Sequence, residues 1–177
     1  AKMIASIEVI ASSKDKNYSY IPKGFDISPD FEYLHTTSNN TIYGTQYQSW
    51  PDSSIPMVCD MSSDIFSKPI EPHRFGMIYA GAQKNLGPAG VTLVIVRKDM
   101  LGKINKTLPT MLRYETHIQN ESMYNTPPVF PIYVSMLTLR WLKNLGGLGV
   151  MQQMNERKAR HVYDIIDSIP FYVGHSV

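Results

Sequence analysis

Lys84 stands in the run Ala80-Gly81-Ala82-Gln83-Lys84-Asn85, directly after an apolar stretch beginning at Gly76. Small neighbours let a flat ligand approach the backbone. An amine at the end of a buried strand is expected to be partly desolvated, which favours its nucleophilic form. A carboxylate, Asp60, closes the preceding apolar run Pro56-Met57-Val58-Cys59. Open α/β sheets bind ligands at the carboxyl ends of their strands, so such a pair places an acid and an amine on one side of a sheet. The third feature is Asn125-Thr126-Pro127-Pro128. Thr before Pro suits a helix start with Pro at the first helical position, and helix N-termini offer free N–H groups to phosphate.

Each feature also has a plainer reading. Lys84 suits a surface lysine, Asp60 the cap of a helix beginning Met61-Ser62-Ser63, and Thr126 a cap alone. Lys84 and Asp60 together are more specific. Pyridoxal-phosphate enzymes use a lysine to hold the cofactor and an acid to keep its ring nitrogen protonated. The glycines of 81–90 do not form a nucleotide phosphate loop, since Lys84 precedes Gly87 and Gly90 and no Gly-Lys-Ser/Thr occurs there. His35, His73, His117, His161 and His175 show no metal-ligand spacing.

The elements that must carry these residues follow from periodicity. Residues 31–37 are rich in β-formers and predict a strand running into a polar turn, Ser38-Asn39-Asn40-Thr41. Residues 56–60, 76–81 and 90–96 predict three further strands, apolar enough to be covered on both faces. Gly87-Pro88-Ala89-Gly90 is a tight connection. Residues 101–120 read as loops with a short helix, and residues 1–21 as irregular. From Pro127 the pattern is helical, with Val129, Tyr133, Met136, Leu137, Leu139, Trp141 and Leu142 mainly on one side. Leu145-Gly146-Gly147-Leu148-Gly149 ends that helix. A second, 150–168, has the apolar stripe Met151, Met154, Ala159, Val162, Ile165 and Ile166.

Composition narrows the function classes. The 177 residues hold 17 basic and 15 acidic side chains, a net charge of +2 too balanced and too scattered for a nucleic-acid binder. Hydrophobic residues make up 43%, enough for a real core. Cys59 is the one cysteine, so no internal disulfide forms, and a cytoplasmic setting is the natural expectation. No apolar run approaches the ~20 residues of a membrane helix. The N-terminus has no signal-peptide stretch and no initiator Met, suggesting that the chain begins inside a longer protein.

Two blocks, Asp60-Met61-Ser62-Ser63-Asp64-Ile65-Phe66-Ser67-Lys68-Pro69-Ile70 and Tyr79-Ala80-Gly81-Ala82-Gln83-Lys84-Asn85-Leu86-Gly87-Pro88-Ala89-Gly90, closely resemble the phosphoserine aminotransferases. So do Ser38-Asn39-Asn40-Thr41-Ile42, Met123-Tyr124-Asn125-Thr126-Pro127-Pro128 and Trp141-Leu142-Lys143-Asn144-Leu145-Gly146-Gly147, in order and over nearly the whole chain. The resemblance implies an α/β fold: a mixed, mostly parallel sheet flanked by helices, the large domain of a pyridoxal 5'-phosphate (PLP) transferase. It implies a homodimer with shared active sites that converts 3-phosphohydroxypyruvate and L-glutamate to O-phospho-L-serine and 2-oxoglutarate.

Lys84 would be the Schiff-base lysine and Asp60 the partner of the pyridine nitrogen. Thr41 would bond the cofactor's phenolic oxygen. Gln83 would contact its phosphate, as would Asn125 and Thr126 from the neighbouring subunit. Residues 1–145 would be part of the large domain, and 146–177 the connecting helix leading into the small one.

Family members run to about twice this length. The phosphate cup and ring-stacking aromatic are expected before Ala1, and a substrate arginine after Val177. Neither Trp50 nor Trp141 lies in the stacking motif, and Asn40 stands where the family often has Glu. The chain alone is expected to be inactive. Other readings are a different PLP reaction on this fold, or a non-catalytic dimerising fragment.

Overall fold

The computed structural model describes residues 3, 5–103 and 107–176. Its centre is a four-stranded sheet built from β1 (Leu34–Thr37), β4 (Met57–Asp60), β5 (Met77–Gly81) and β6 (Thr92–Val96), in the order β1-β4-β5-β6. β1, β4 and β5 run parallel, and β6 returns antiparallel beside β5. A two-stranded antiparallel ribbon, β2 (Asn39–Asn40) with β3 (Thr45–Gln46), follows β1 directly. Three helices come later: α1 (Tyr114–Gln119), α2 (Val129–Asn144) and α3 (Leu148–Ser168). The mixed, mostly parallel sheet and its helices are the fold class expected from the sequence.

One face of the sheet forms the core. Leu34, Met57, Cys59, Ile78 and Ala80 alternate onto it, and Met61, Ile65, Phe75, Ala82 and Leu86 close over them. Trp50 joins from the rim, with its ring edge-on to Phe75 at 4.9 Å and stacked on Tyr47 at 5.0 Å. The opposite face carries His35, Thr37, Val58, Asp60, Met77 and Tyr79, as the register requires.

Several elements differ from the sequence expectation. Ser38–Thr41 is more than a turn, because Asn39 and Asn40 pair with Gln46 and Thr45 before the chain bends. Among the described residues, nothing covers both faces of β6. It is an edge strand whose Val94 and Ile95, pointing to opposite sides, are 37% and 39% exposed. α2 begins at Val129 rather than Pro127, since a proline disfavours helical geometry in the residue before it and Pro128 follows Pro127. Its apolar residues are spread around the helix, and only Ser135 and Leu142 are buried. In α3, Met151 is buried, whereas Val162 and Ile165 of the expected stripe are exposed. α2 does end where the glycines predict: Gly146 and Gly147 take φ of 114° and 81°, and the Gly147 N–H donates to the Leu142 carbonyl. No described helix is long and apolar enough to cross a membrane.

Cys59 has no exposed surface. Burial pushes its thiol up to about 12; the buried Thr36 hydroxyl beside it pulls back part of that rise, while Asp64 and Asp60 add to it. The folded chain therefore holds a proton that the unfolded thiol releases near its usual pKa of about 8.5, and this group erodes stability as pH climbs from there towards 12. At pH 8, iodoacetamide is expected to modify Cys59 only after denaturant is added, as read by intact mass. Rapid modification of the folded protein would contradict this burial.

Candidate active site

Lys84 lies in the turn that joins β5 to β6. Ala82 and Leu86, 0% and 4% exposed, anchor that turn in the core. The Ala82 N–H donates to the Val91 carbonyl at 2.9 Å, and the Gly87 N–H to the Ala82 carbonyl at 2.7 Å. With both anchors pointing inward, Gln83, Lys84 and Asn85 face outward and are exposed. The expected desolvation of Lys84 is thus not found, because its side chain points away from the core and is exposed. Lys84 Nζ instead donates to Thr41 Oγ1 at 2.7 Å. The two residues come from different loops at the same sheet edge.

Thr41 sits at the tip of the β2–β3 ribbon. Asn40 shapes that tip: its Oδ1 accepts from the Ile42 N–H at 3.1 Å and the Tyr43 N–H at 3.3 Å. Gly44 closes it with φ of 76°, a conformation that costs glycine little.

Asp60 ends β4 level with Thr37 of β1 and Tyr79 of β5. Its Oδ1 accepts from the Ser62 N–H at 2.8 Å and from Ser62 Oγ at 2.6 Å. The plain capping reading is therefore half right: the carboxylate folds a local turn, but no helix follows it. Ser62 Oγ also accepts from the Gly81 N–H at 3.1 Å, which ties Asp60 to the start of the Lys84 turn. Nearby, the Tyr79 hydroxyl bonds His35 Nε2 at 3.0 Å. Burial raises the Tyr79 phenol above its ordinary range, and the Asp60 charge adds to that.

Gln83 folds back over Gly81, where an added Cβ would collide with the Gln83 side-chain amide. Asn125 and Thr126 are exposed, and among the described residues no hydrogen bond joins either to Lys84, Gln83 or Asp60. Thr126 does not cap α2; Pro128 holds that position, with no side-chain cap. Pro127, Pro128 and Pro131 lack N–H groups, so the first turn offers only those of Val129 and Phe130. The anion site argued from capping is thus poorer in donors than the sequence suggested.

Comparison with known proteins decides the family: the model of the class-V aminotransferases matches residues 2–176. The chain belongs to the class-V aminotransferases. It is 57% identical over 174 residues to a phosphoserine aminotransferase of Flavobacterium psychrophilum, covering 98% of this chain and 49% of that protein. It is 52% identical to the phosphoserine aminotransferase of Alkalihalobacillus alcalophilus, covering 99% and 50%.

A solved phosphoserine aminotransferase, studied for radiation damage of its Schiff base, superimposes with a TM-score of 0.95 at 52% identity, over 99% of this chain and 50% of that one. The PLP-bound phosphoserine aminotransferase of Trichomonas vaginalis superimposes at 0.91 with 37% identity, over 97% and 48%. This class-V chain therefore spans about half the length of the relatives it matches.

Sequence reasoning passed over the residues that hold these loops together. Asn40 and Gly44 were visible as turn formers but not as the frame of Thr41. Ser62 was visible only as a neighbour of Asp60. Ser135 left no signal at all. It lies in α2 with its hydroxyl buried, without a partner among the described residues, and pressed on the Lys84 turn, where a Cβ added at Gly87 would come within 2.7 Å of its Oγ. Gly87→Ala is expected to cost about 1–3 kcal/mol through overpacking. Ser135→Ala removes an orphan hydroxyl and is expected to be neutral or stabilising. Urea midpoints check both; a strongly destabilised Ser135→Ala would mean that the hydroxyl has a partner.

Proposed function

We propose that this chain carries the cofactor-binding part of a PLP-dependent phosphoserine aminotransferase. The enzyme would convert 3-phosphohydroxypyruvate and L-glutamate to O-phospho-L-serine and 2-oxoglutarate. The observation that carries this reading is the contact of Lys84 Nζ with Thr41 Oγ1 at 2.7 Å, at the sheet edge where Asp60 ends its strand. The relatives of that name, more than half identical over nearly the whole chain, support the choice of substrate.

The donor set suits PLP. An exposed amine offers a covalent attachment, a hydroxyl lies within hydrogen-bond reach of it, and a carboxylate oriented by Ser62 offers a negative charge for a ring nitrogen. When bound, PLP supplies an electron-accepting ring that carries the amino group between the two substrates. Lys84 would hold it, and Thr41, already an acceptor for the amine, would bond its phenolic oxygen. Asp60 would keep the ring nitrogen charged, which works only while its carboxylate stays fixed by Ser62. Gln83, free to swing from Gly81, would reach the phosphate. Residues 1–145 would belong to the large domain and 146–177 would lead into the small one, with the Gly146-Gly147 break between α2 and α3 as the boundary.

In the full-length enzyme, Lys84→Ala should abolish turnover and borohydride-fixable labelling of that site. Asp60→Asn keeps the shape and removes the charge, and should lower the rate by at least ~100-fold, the scale of one electrostatic contact to a developing charge. Near wild-type kcat in Asp60→Asn would sink that role.

Asn125 and Thr126 would complete the cofactor site of a second subunit. Their exposure, and their lack of a bond to Lys84 of their own chain, suit that role. A two-fold dimer would then make each subunit give what it receives. Mixing full-length Lys84→Ala with an inactive Thr126 variant should restore activity, because one site of the mixed dimer carries neither defect. If Thr126 serves its own subunit, mixing restores nothing.

A further inference from the structure

The turn after Asp60 contains a second carboxylate, Asp64, which the reaction described above does not use. Its two oxygens reach the two sides of the ribbon that carries Thr41. Oδ1 accepts from Ser38 Oγ, at the foot of β2, and Oδ2 accepts from Gln46 Nε2 of β3 at 3.2 Å. Ser38 is 1% exposed, and its Oγ also lies 3.1 Å from the Asp60 carbonyl, to which its N–H donates at 2.9 Å. Beside this bridge, Ser63 Oγ donates to the Asn39 carbonyl at 2.9 Å and accepts from Asn39 Nδ2 at 3.0 Å. The same turn receives Asn85 Nδ2, the neighbour of Lys84, at the Ile65 carbonyl.

A ribbon with two residues in each strand cannot hold its own orientation, since isolated two-stranded ribbons are marginal even when longer. Its direction must come from what grips it: at the tip Ser176 Oγ donates to the Tyr43 carbonyl and Tyr18 packs on the Tyr43 ring, and at the base the turn after Asp60 holds it. Ser63 holds Asn39 of β2 alone, Lys68 Nζ holds the Tyr47 carbonyl just after β3, and the Tyr47 N–H donates to the Ser38 carbonyl across the base at 2.9 Å. Among the described residues, Asp64 is the side chain of this turn that bonds both sides of the ribbon, at Ser38 just before β2 and at Gln46 of β3.

We propose that Asp64 is a positioning residue: by bridging Ser38 and Gln46 it sets the tilt of the β2–β3 ribbon and so places the Thr41 hydroxyl at the Lys84 amine. This rests on the reading of Lys84 and Thr41 as the cofactor site. The carboxylate acts through its geometry as a double acceptor. An amide can keep that geometry, with its oxygen towards Ser38 and its NH2 towards a turned-over Gln46, whereas alanine cannot.

The test uses the full-length enzyme freed of PLP. PLP is added, the adduct is trapped with borohydride at timed intervals, and the Lys84 peptide is quantified by mass spectrometry. Asp64→Ala should slow adduct formation on the order of tenfold, as a misplaced contact group does. Thr41→Val should slow it comparably. The double variant should be no slower than Thr41→Val, because residues acting through one contact are not additive. Asp64→Asn should stay within about twofold of the wild type, the usual scale for an uncoupled change.

A merely structural Asp64 would instead show its whole effect again in the Thr41→Val background, and that result overturns the proposal. So does a wild-type rate in Asp64→Ala, or an Asp64→Asn as slow as Asp64→Ala. Should Asp64→Ala fail to fold, Gln46→Leu removes only the Oδ2 bond and is run through the same cycle, with the same non-additivity expected and the same additive result fatal. Lys84→Ala is the control for the underlying reading. Adduct at that site in its absence removes the site itself, whereas failure of the Asp64 cycle with a silent Lys84→Ala removes only the positioning role.

Discussion

Parallel pairing of β1, β4 and β5 puts Thr37, Asp60 and Tyr79 in one row, so three chains leave by the same end of the sheet, β1 and β4 level with one another and β5 just beyond, after Gly81. All the candidate chemistry depends on this shared end. One exit leads through Ser38 into the ribbon of Thr41, one ends on Asp60, and one runs through Gly81 to Lys84. Exits at one end bring the loops near one another but do not aim them. The aiming falls to the central loop, residues 61–68, which lies between the other two and bonds to both. Ser62 takes the Gly81 N–H, Ser63 takes Asn39, and Lys68 Nζ reaches the Tyr47 carbonyl at 2.9 Å. A polar stretch after a buried strand thus works as a frame built from short side chains, with serine hydroxyls serving as donor and acceptor at once.

The strands and their ends were legible in the sequence because they depend on local pattern. The apolar runs are interrupted by a carboxylate at Asp60 and a glycine at Gly81, and the strands end on those two residues. The glycine pair after α2 was legible for a related reason: helix termination by positive φ is written in the residue itself. The start of α2 was misread because two consecutive prolines compete for one rule. A single Pro suits the first helical position, but the second forbids helical geometry to the first.

What could not be read was anything that depends on a distant partner. The exposure of Lys84 is set by what packs over its turn, not by its neighbours in sequence. Asp64 looked like one more polar residue in a polar stretch; its partners, Ser38 and Gln46, lie on another loop, and no periodicity connects them. The apolar surface of α2 shows the same limit. Val129, Tyr133 and Trp141 read as one apolar side suited to a core or a dimer interface, yet in this chain each is more than half exposed.

The antiparallel return of β6 leaves its outer backbone edge unpaired within the described sheet. Val91-Thr92-Leu93-Val94-Ile95-Val96 is β-branched at every position but Leu93, uncharged and free of proline, the composition of segments that stack into cross-β fibrils. Such an edge is a template for any extended chain that reaches it, another copy included. The residues that follow oppose this. Arg97 and Lys98 place two positive charges at the end of the strand, and Arg97 pairs with Asp99 at 2.6 Å. Charged flanks of this kind act as gatekeepers, making stacked copies repel at one end while leaving the strand free to serve its own sheet. The Arg97–Lys98 charges thus stand where they oppose edge-to-edge stacking of β6, apart from the candidate chemistry.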